Sequence, residues 1–232
     1  INLLECMRDN GCKKIIYSSS SNIYSIHKEN VDESQLKGVA LSNPLARTKY
    51  FTEELLKDYI FSNHQTQAIV FRFSEVIGHV KSLPKPSDKN IFYQIFDAYA
   101  NQTEVSIYGG DYPTKDGTAV KDYVHILDLV SAFVKALNKS DSGFIEYNIG
   151  YGKGISDLDV IQIAEDIFDI NINYTLRQRK NNAVAIFYLN TKKAKTSVIL
   201  KYKYNLTTVN HRIHVRINEK ITLFWRFSCT YY

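Results

Sequence analysis

Lys14-Ile15-Ile16-Tyr17-Ser18-Ser19-Ser20-Ser21-Asn22-Ile23-Tyr24 opens with a short β-branched and aromatic run and then stops in four serines. A short apolar run bounded by turn residues reads as a buried strand of a parallel sheet, and the serines read as the loop that leaves it. Open parallel sheets place ligands at the carboxyl ends of their strands, so this loop is the first place to look for chemistry. Upstream, Leu3, Leu4 and Met7 form the end of a helix closed by Asn10-Gly11, a normal helix stop. Downstream, Pro44 suits the first turn of a helix reaching about Phe61, with Phe51, Leu55, Leu56 and Tyr59 at helical spacing. Ala68-Ile69-Val70-Phe71 is the next buried strand, and 81–89, with Pro84 and Pro86, is a loop. The spacing predicts helices near 90–100, 126–138 and 157–168, and strands near 105–108, 145–148 and 171–175. Strands alternating with helices, without a tight hairpin, predict an α/β fold with a parallel sheet covered by helices. The end of the chain differs. Ile213, Val215 and Ile217 alternate, 218–220 could turn, and Ile221, Leu223 and Trp225 alternate again. That pattern reads either as a two-stranded hairpin or as a stretch under no folding selection.

Composition bounds the rest. The chain has 232 residues, 44% hydrophobic and 23% charged, which excludes disorder of the whole chain and allows one domain plus a smaller lobe. No apolar run approaches the ~20 residues of a membrane-spanning helix. The opening Ile1-Asn2-Leu3-Leu4 has no signal-peptide pattern and no initiator Met, so a fragment of a cytoplasmic protein is expected. Cys6, Cys12 and Cys229 are odd in number and lack metal-ligand spacing, which fits reduced thiols. His211 and His214 have no acidic or Cys partner nearby, so no metal site is expected. From residue 171 onward there are 12 Lys/Arg and one acid, Glu219, a net +11 against −6 for residues 1–170. A basic C-terminal third can bind phosphates or nucleic acid. No nucleic-acid-binding motif accompanies the charge, so nucleic acid is not an expected partner, and a solvated tail is the plainer reading.

Five blocks carry chemistry. The first is Ser18 to Tyr24. The second is Asn43-Pro44-Leu45-Ala46-Arg47-Thr48-Lys49, at a helix start, and the third is Phe71-Arg72-Phe73-Ser74-Glu75-Val76-Ile77-Gly78-His79, after a strand. The fourth and most specific is Ile107-Tyr108-Gly109-Gly110-Asp111-Tyr112-Pro113-Thr114-Lys115-Asp116-Gly117-Thr118-Ala119-Val120-Lys121-Asp122-Tyr123-Val124-His125. The last is the glycine-rich strand end Tyr147-Asn148-Ile149-Gly150-Tyr151-Gly152. In this order and spacing, the blocks resemble UDP-glucose 4-epimerases of the extended short-chain dehydrogenase/reductase superfamily, over about residues 1–200.

The resemblance implies a partial Rossmann-type parallel sheet with helices, plus a smaller C-terminal substrate lobe. Residues 1–80 would be the remnant of the NAD-binding domain. Residues 81–204 would be mostly the UDP-sugar lobe, with 109–138 returning to the first domain, and 205–232 would be a divergent tail. The implied chemistry is interconversion of UDP-glucose and UDP-galactose, in which NAD takes a hydride from sugar C4 and returns it to the other face of a 4-keto sugar. A tyrosinate takes the 4-hydroxyl proton, helped by a lysine one helical turn later and a serine. An ordinary tyrosine, with a pKa near ~10, is mostly protonated at neutral pH, and the neighbouring cation supplies the needed shift. By this resemblance Ser20 is the catalytic serine and Lys49 the lysine, but Leu45 stands at the tyrosine position. Tyr50, one residue past Lys49, projects from another side of the helix and is not expected to substitute.

The resemblance also assigns Ser18, Lys49 and Phe73 to the cofactor, and Ser20, Glu75, Asn90, Ile91, Tyr108, Lys121 and Lys180 to the UDP-sugar. Glu75, Lys121 and Lys180 depart from the family, Lys180 by standing where a second phosphate-binding arginine falls, and so does Ala183. Glu75 replaces an asparagine and would repel phosphate. Lys121 replaces an arginine and loses its bidentate fork. Ala183 stands where an acid would bind ribose hydroxyls. No G-x-x-G-x-x-G turn for the NAD pyrophosphate occurs in the 232 residues, so NAD retention is not expected. A sheet without its first strands would expose an apolar edge and face. Family members pair as homodimers through two helices, of which Pro44–Phe61 resembles one, so an impaired dimer is expected. The readings left open are a UDP-glucose 4-epimerase relative of doubtful activity, a non-catalytic remnant or weak UDP-sugar-binding protein, and a basic interaction protein using residues 171–232.

Overall fold

A computed structural model describes residues 1–203 apart from 27, 42, 79–89, 141, 181–182 and 198. The expected proline loop at 81–89 and the expected hairpin at 213–225 lie outside the described residues. In chain order the elements are α1 (Asn2–Asp9), β1 (Lys14–Ser18), α2 (Pro44–Ser62), β2 (Gln67–Phe73), β3 (Glu75–Ile77), α3 (Ile91–Asn101), β4 (Val105–Tyr108), β5 (Val120–Lys121), β6 (Tyr123–His125), α4 (Ile126–Leu137), β7 (Gly143–Ile149), β8 (Ile155–Ser156), α5 (Asp157–Phe168), β9 (Tyr174–Arg177), β10 (Ile186–Phe187) and α6 (Lys192–Thr196). A 3-10 turn, Ser21–Ile23, follows β1.

The main sheet is parallel, in the order β1-β2-β7, with Ser18 beside Phe71 and Phe71 beside Tyr147. This is the α/β fold that the strand–helix alternation predicts. β2 shows why its apolar run is continuous. Ala68 and Val70 pack with Leu56 and Ile60 of α2, while Ile69 and Phe71 pack with Leu129, Ala132 and Ala136 of α4. Both faces are covered, so a side-chain period of two yields no polar position from Ala68 to Phe71. β1 differs from the expectation of a buried strand. It is half-buried throughout and stands at the edge of the described sheet.

A second core holds Ile91, Ile95 and Ala98 of α3, Val105 and Ile107 of β4, and Val160, Ile161 and Ala164 of α5. Parallel pairs β3–β6 and β4–β9 border it. The two-residue strands β5, β8 and β10 escape sequence reading because so short an element carries no periodicity. The expected strand at 171–175 is β9, shifted to 174–177.

Local chemistry sets the helix starts. Asn43 Oδ1 accepts the Ala46 N–H at 2.7 Å ahead of Pro44, and Ser156 Oγ accepts the Asp159 N–H at 3.0 Å. His125 Nδ1 accepts the Leu127 N–H at 3.2 Å at the start of α4. Among the described residues no helix is long and apolar enough to cross a membrane.

α2 is locked to β2 by charge. Arg72 and Glu53 have no exposed side-chain surface, and Arg72 Nη2 lies 2.7 Å from Glu53 Oε2. Arg72 Nε also reaches both Glu53 oxygens, at 3.1 and 3.2 Å, and Ser19 Oγ donates to Glu53 Oε1 at 2.5 Å. Arg72 Nη1 donates to the Tyr24 hydroxyl and to the Glu33 carbonyl, both at 3.2 Å. Tyr24 in turn donates to Asn148 Oδ1 at 2.6 Å, and Asn148 Nδ2 donates to the Val31 carbonyl at 2.8 Å. Burial alone would lower the Arg72 pKa, but Glu53 outweighs it and holds the group above its usual value. Burial likewise raises the Tyr24 hydroxyl, against the nearby guanidinium.

Removing one member of a buried ion pair strands the other, at a cost of about 3–5 kcal/mol. Glu53→Ala should therefore lower the unfolding free energy by about that much in urea titration, and a change under ~1 kcal/mol would mean that the pair is not holding α2. A second prediction concerns pH. Burial pushes the His125 imidazole down to about 4 from its ordinary 6.5. Between these values the unfolded chain takes a proton that the folded chain refuses, so stability is lost as pH falls from about 6.5 to about 4. His125→Asn keeps a capping side chain but cannot titrate. In that window wild-type stability should fall more steeply than the variant's, by up to about 1.4 kcal/mol per pH unit, and parallel curves would refute the assignment.

Candidate functional site

The carboxyl ends of β1, β2 and β7 lie at one edge of the sheet, where parallel α/β folds bind ligands. Lys49 reaches this edge from α2. Its Nζ donates to the Ser18 carbonyl at 2.6 Å and sits 5.2 Å from the centre of the Tyr17 ring. Ser20 occupies the same loop and caps the 3-10 turn by accepting the Asn22 N–H at 3.2 Å. Leu45, one helical turn before Lys49, is 61% exposed. Tyr50 is turned away. Its ring fills the space over Gly38, where an added Cβ would lie 2.3 Å from Cζ. Phe73 is half-buried and packs against the main core. The structure thus brings Ser18, Ser20 and Lys49 together and places a hydrocarbon beside them.

The substrate-side residues form a second group. Tyr108, at the end of β4, is 39% exposed, and Lys180 Nζ stands 4.1 Å from its ring centre. Lys121 in β5 pairs with Asp157, its Nζ donating at 3.0 Å and 3.3 Å to the two carboxylate oxygens. Burial raises the Asp157 pKa, and the Lys121 ammonium opposes that shift. Lys180 contributes to the same field, so Lys121, Asp157 and Lys180 share one electrostatic environment. Beside them the Tyr123 hydroxyl is buried with no hydrogen-bond partner among the described residues, near the charges of Glu75 and Asp157. Glu75 itself is exposed on β3, opposite Tyr123 of β6. Asn90 caps α3, its Oδ1 accepting the Tyr93 N–H at 3.0 Å, and Ile91 is buried in the second core. Ala183 is exposed, with its N–H on the Lys180 carbonyl at 3.1 Å. Arg179, beside Lys180, pairs instead with Asp111 at 2.6 Å and lies over the Tyr112 ring.

Sequence reading missed two supports of this site. One is the Arg72–Glu53 network. Its signal was present, since a lone arginine inside the apolar run Ala68–Phe73 implies a buried counter-charge. The other is Asp122, whose carboxylate accepts the N–H groups of Tyr123 at 2.8 Å, Tyr151 at 2.9 Å, Gly152 at 3.1 Å and Leu189 at 3.1 Å. Burial pushes that carboxyl up to about 7, against these donors, which favour the anion. The glycine-rich turn after β7 is needed for this contact, since a Cβ on Gly150 would lie 2.3 Å from Asp122 Oδ2. No local pattern pairs Asp122 with Leu189.

Comparison with known proteins agrees with this architecture. The model of the NAD dependent epimerase/dehydratase family matches residues 1–150. The UDP-glucose 4-epimerase of Drosophila melanogaster is 38% identical over 197 residues, which cover 80% of this chain and 56% of that protein. UDP-glucose 4-epimerase 2 of Arabidopsis thaliana is 31% identical over 212 residues, covering 88% of this chain and 60% of that one. Among solved structures, the UDP-glucose 4-epimerase of Bifidobacterium longum, in complex with NAD+ and UDP, superposes with a TM-score of 0.78 at 32% identity, covering 88% of this chain and 63% of its own. The enzyme of Stenotrophomonas maltophila, with bound NAD and formylated UDP-arabinopyranose, gives 0.78 at 29% identity, covering 89% and 64%. The chain therefore spans less than two thirds of the length of each of these relatives. On the sheet, on the site at its carboxyl edge and on these matches, the chain belongs to the NAD dependent epimerase/dehydratase family and is UDP-glucose 4-epimerase-like within it.

Proposed function

We propose that this chain binds a UDP-sugar, as a UDP-glucose 4-epimerase relative, and lacks the proton acceptor that 4-epimerisation requires. The observation that carries this reading is Leu45, exposed one turn before Lys49, with Tyr50 packed elsewhere over Gly38. A sugar alcohol gives up hydride readily only as its proton leaves, and leucine has no atom to receive one. Lys49 keeps its cation but spends a hydrogen bond on the Ser18 carbonyl. Toward NAD, Lys49 and the serine loop can serve hydroxyl groups at the sheet edge.

Binding is better supported than turnover. Tyr108 offers a ring for a base, Lys121 and Lys180 offer charge to the phosphates, and the buried Tyr123 hydroxyl has among the described residues no hydrogen-bond partner, which a ligand oxygen could supply. The lobe division at residues 80 and 204 belongs to the same proposal, supported by the second core that α3, β4 and α5 form. So does self-association through α2, where Phe51 and Leu55 are exposed. A cytoplasmic setting is part of it too, supported by the free thiols of Cys6 and Cys12.

With NAD added, the chain should convert UDP-galactose in a coupled assay at no more than about 10⁻² of the rate of a family member that has the tyrosine. Robust turnover would sink the reading of Leu45. Calorimetry with UDP should show weak binding that Lys121→Ala weakens further. Asp157→Asn, which releases Lys121 from its carboxylate, should tighten it several-fold, about 1 kcal/mol. No heat at millimolar UDP, or no response to either substitution, would count against a retained nucleotide site.

A further inference from the structure

Val120 and Lys121 are neighbours on β5 and so face opposite sides of it. Lys121 turns to Asp157. On the Val120 side a cleft of about 450 Å³ opens, within the range of small-molecule pockets. Thr114 and Lys115 form one wall, the turn Gly152-Lys153-Gly154 a second, and Glu29 with Ile186 and Tyr188 a third. None of the residues assigned to NAD or the UDP-sugar lines it.

Two independent features shape what it can hold. The first is charge. Lys115 and Lys153 come from different loops, and neither has an ion-pair partner among the described residues. The acid present, Glu29, accepts the Tyr188 hydroxyl at 3.2 Å. The cleft therefore carries an excess positive charge on one side and a carboxylate–phenol pair on the other. The second is its floor. A Cβ on Gly154 would lie 2.4 Å from Val120 Cγ1 and 2.9 Å from Tyr188 Cδ1, so bare main chain lies against the valine and the ring. Val120, Ile186 and Tyr188 are half-buried and give a smooth apolar surface.

We propose that this cleft is a second ligand site, for a phosphorylated monosaccharide. Lys115 and Lys153 would take the phosphate as point charges. Glu29 accepts sugar hydroxyls, Thr114 and Tyr188 exchange hydrogen bonds with them, and the C–H face of the sugar ring covers Val120 and Ile186. A bare phosphate uses only the cationic side, and a neutral sugar only the other, so both halves are needed for useful affinity.

The test is titration of the whole chain with glucose 6-phosphate, glucose and inorganic phosphate, followed by calorimetry or amide chemical shifts. Glucose 6-phosphate should bind roughly tenfold more tightly than inorganic phosphate, with glucose silent. Lys115→Gln with Lys153→Gln should weaken it by roughly tenfold or more, with the thermal melting curve unchanged. Glu29→Gln should weaken glucose 6-phosphate but not phosphate. Saturating UDP should leave the affinity unaltered, which separates this cleft from the nucleotide site. The proposal fails if glucose 6-phosphate does not bind at millimolar concentration, if the lysine substitutions do not affect binding, or if UDP displaces it. Glucose 6-phosphate binding in a chain that ignores UDP would remove the nucleotide proposal and leave this one standing.

Discussion

A guanidinium and a carboxylate sit at the centre of this molecule with no surface on water. Desolvating two charges costs several kcal/mol each, which only near-complete hydrogen bonding offsets. That requirement orders the surroundings. Glu53 sets the rotation of α2 over the sheet, and Arg72 fixes which face of β2 meets it. Tyr24, the Glu33 carbonyl and Asn148 complete the shell and draw in the loop after β1 and the end of β7. Residues 45, 49 and 53 are one helical turn apart, so the rotation that buries Glu53 also aims Lys49 at the Ser18 carbonyl and places Leu45 at the rim. The register of α2 is thus a by-product of the buried pair.

That separation of scaffold from chemistry explains how Leu45 can be accommodated. The exposed leucine contributes no hydrogen bond to the network. The geometry around Ser20 and Lys49 is held from below by Ser19, Glu53 and Arg72. The groups that hold the fold at this edge are therefore different residues from the one at position 45.

In the second lobe the cations are already engaged. Lys121 faces Asp157, Lys180 covers Tyr108, and Arg179 is held by Asp111. A phosphate arriving there would compete with a carboxylate for Lys121. Lys115 and Lys153, on the other side of β5, have no ion-pair partner among the described residues. The distribution of paired and unpaired cations, more than their number, separates the two faces.

Hydrophobic run lengths, the serine loop and Pro44 were enough to read the α/β class and the positions of the long helices, because each of these signals is local, while Ser20, Leu45 and Lys49 were singled out by the family resemblance that the motif blocks carry. Tertiary structure alone decided that Lys121 is paired with Asp157 36 residues away, that Asn90 serves as a cap, and that Asp122 joins four main-chain N–H groups from three segments. Two-residue strands carry no period to detect, and a charge pair between distant elements leaves no mark on either stretch by itself. Sequence specifies which groups must find partners, and only packing decides which partner each one finds.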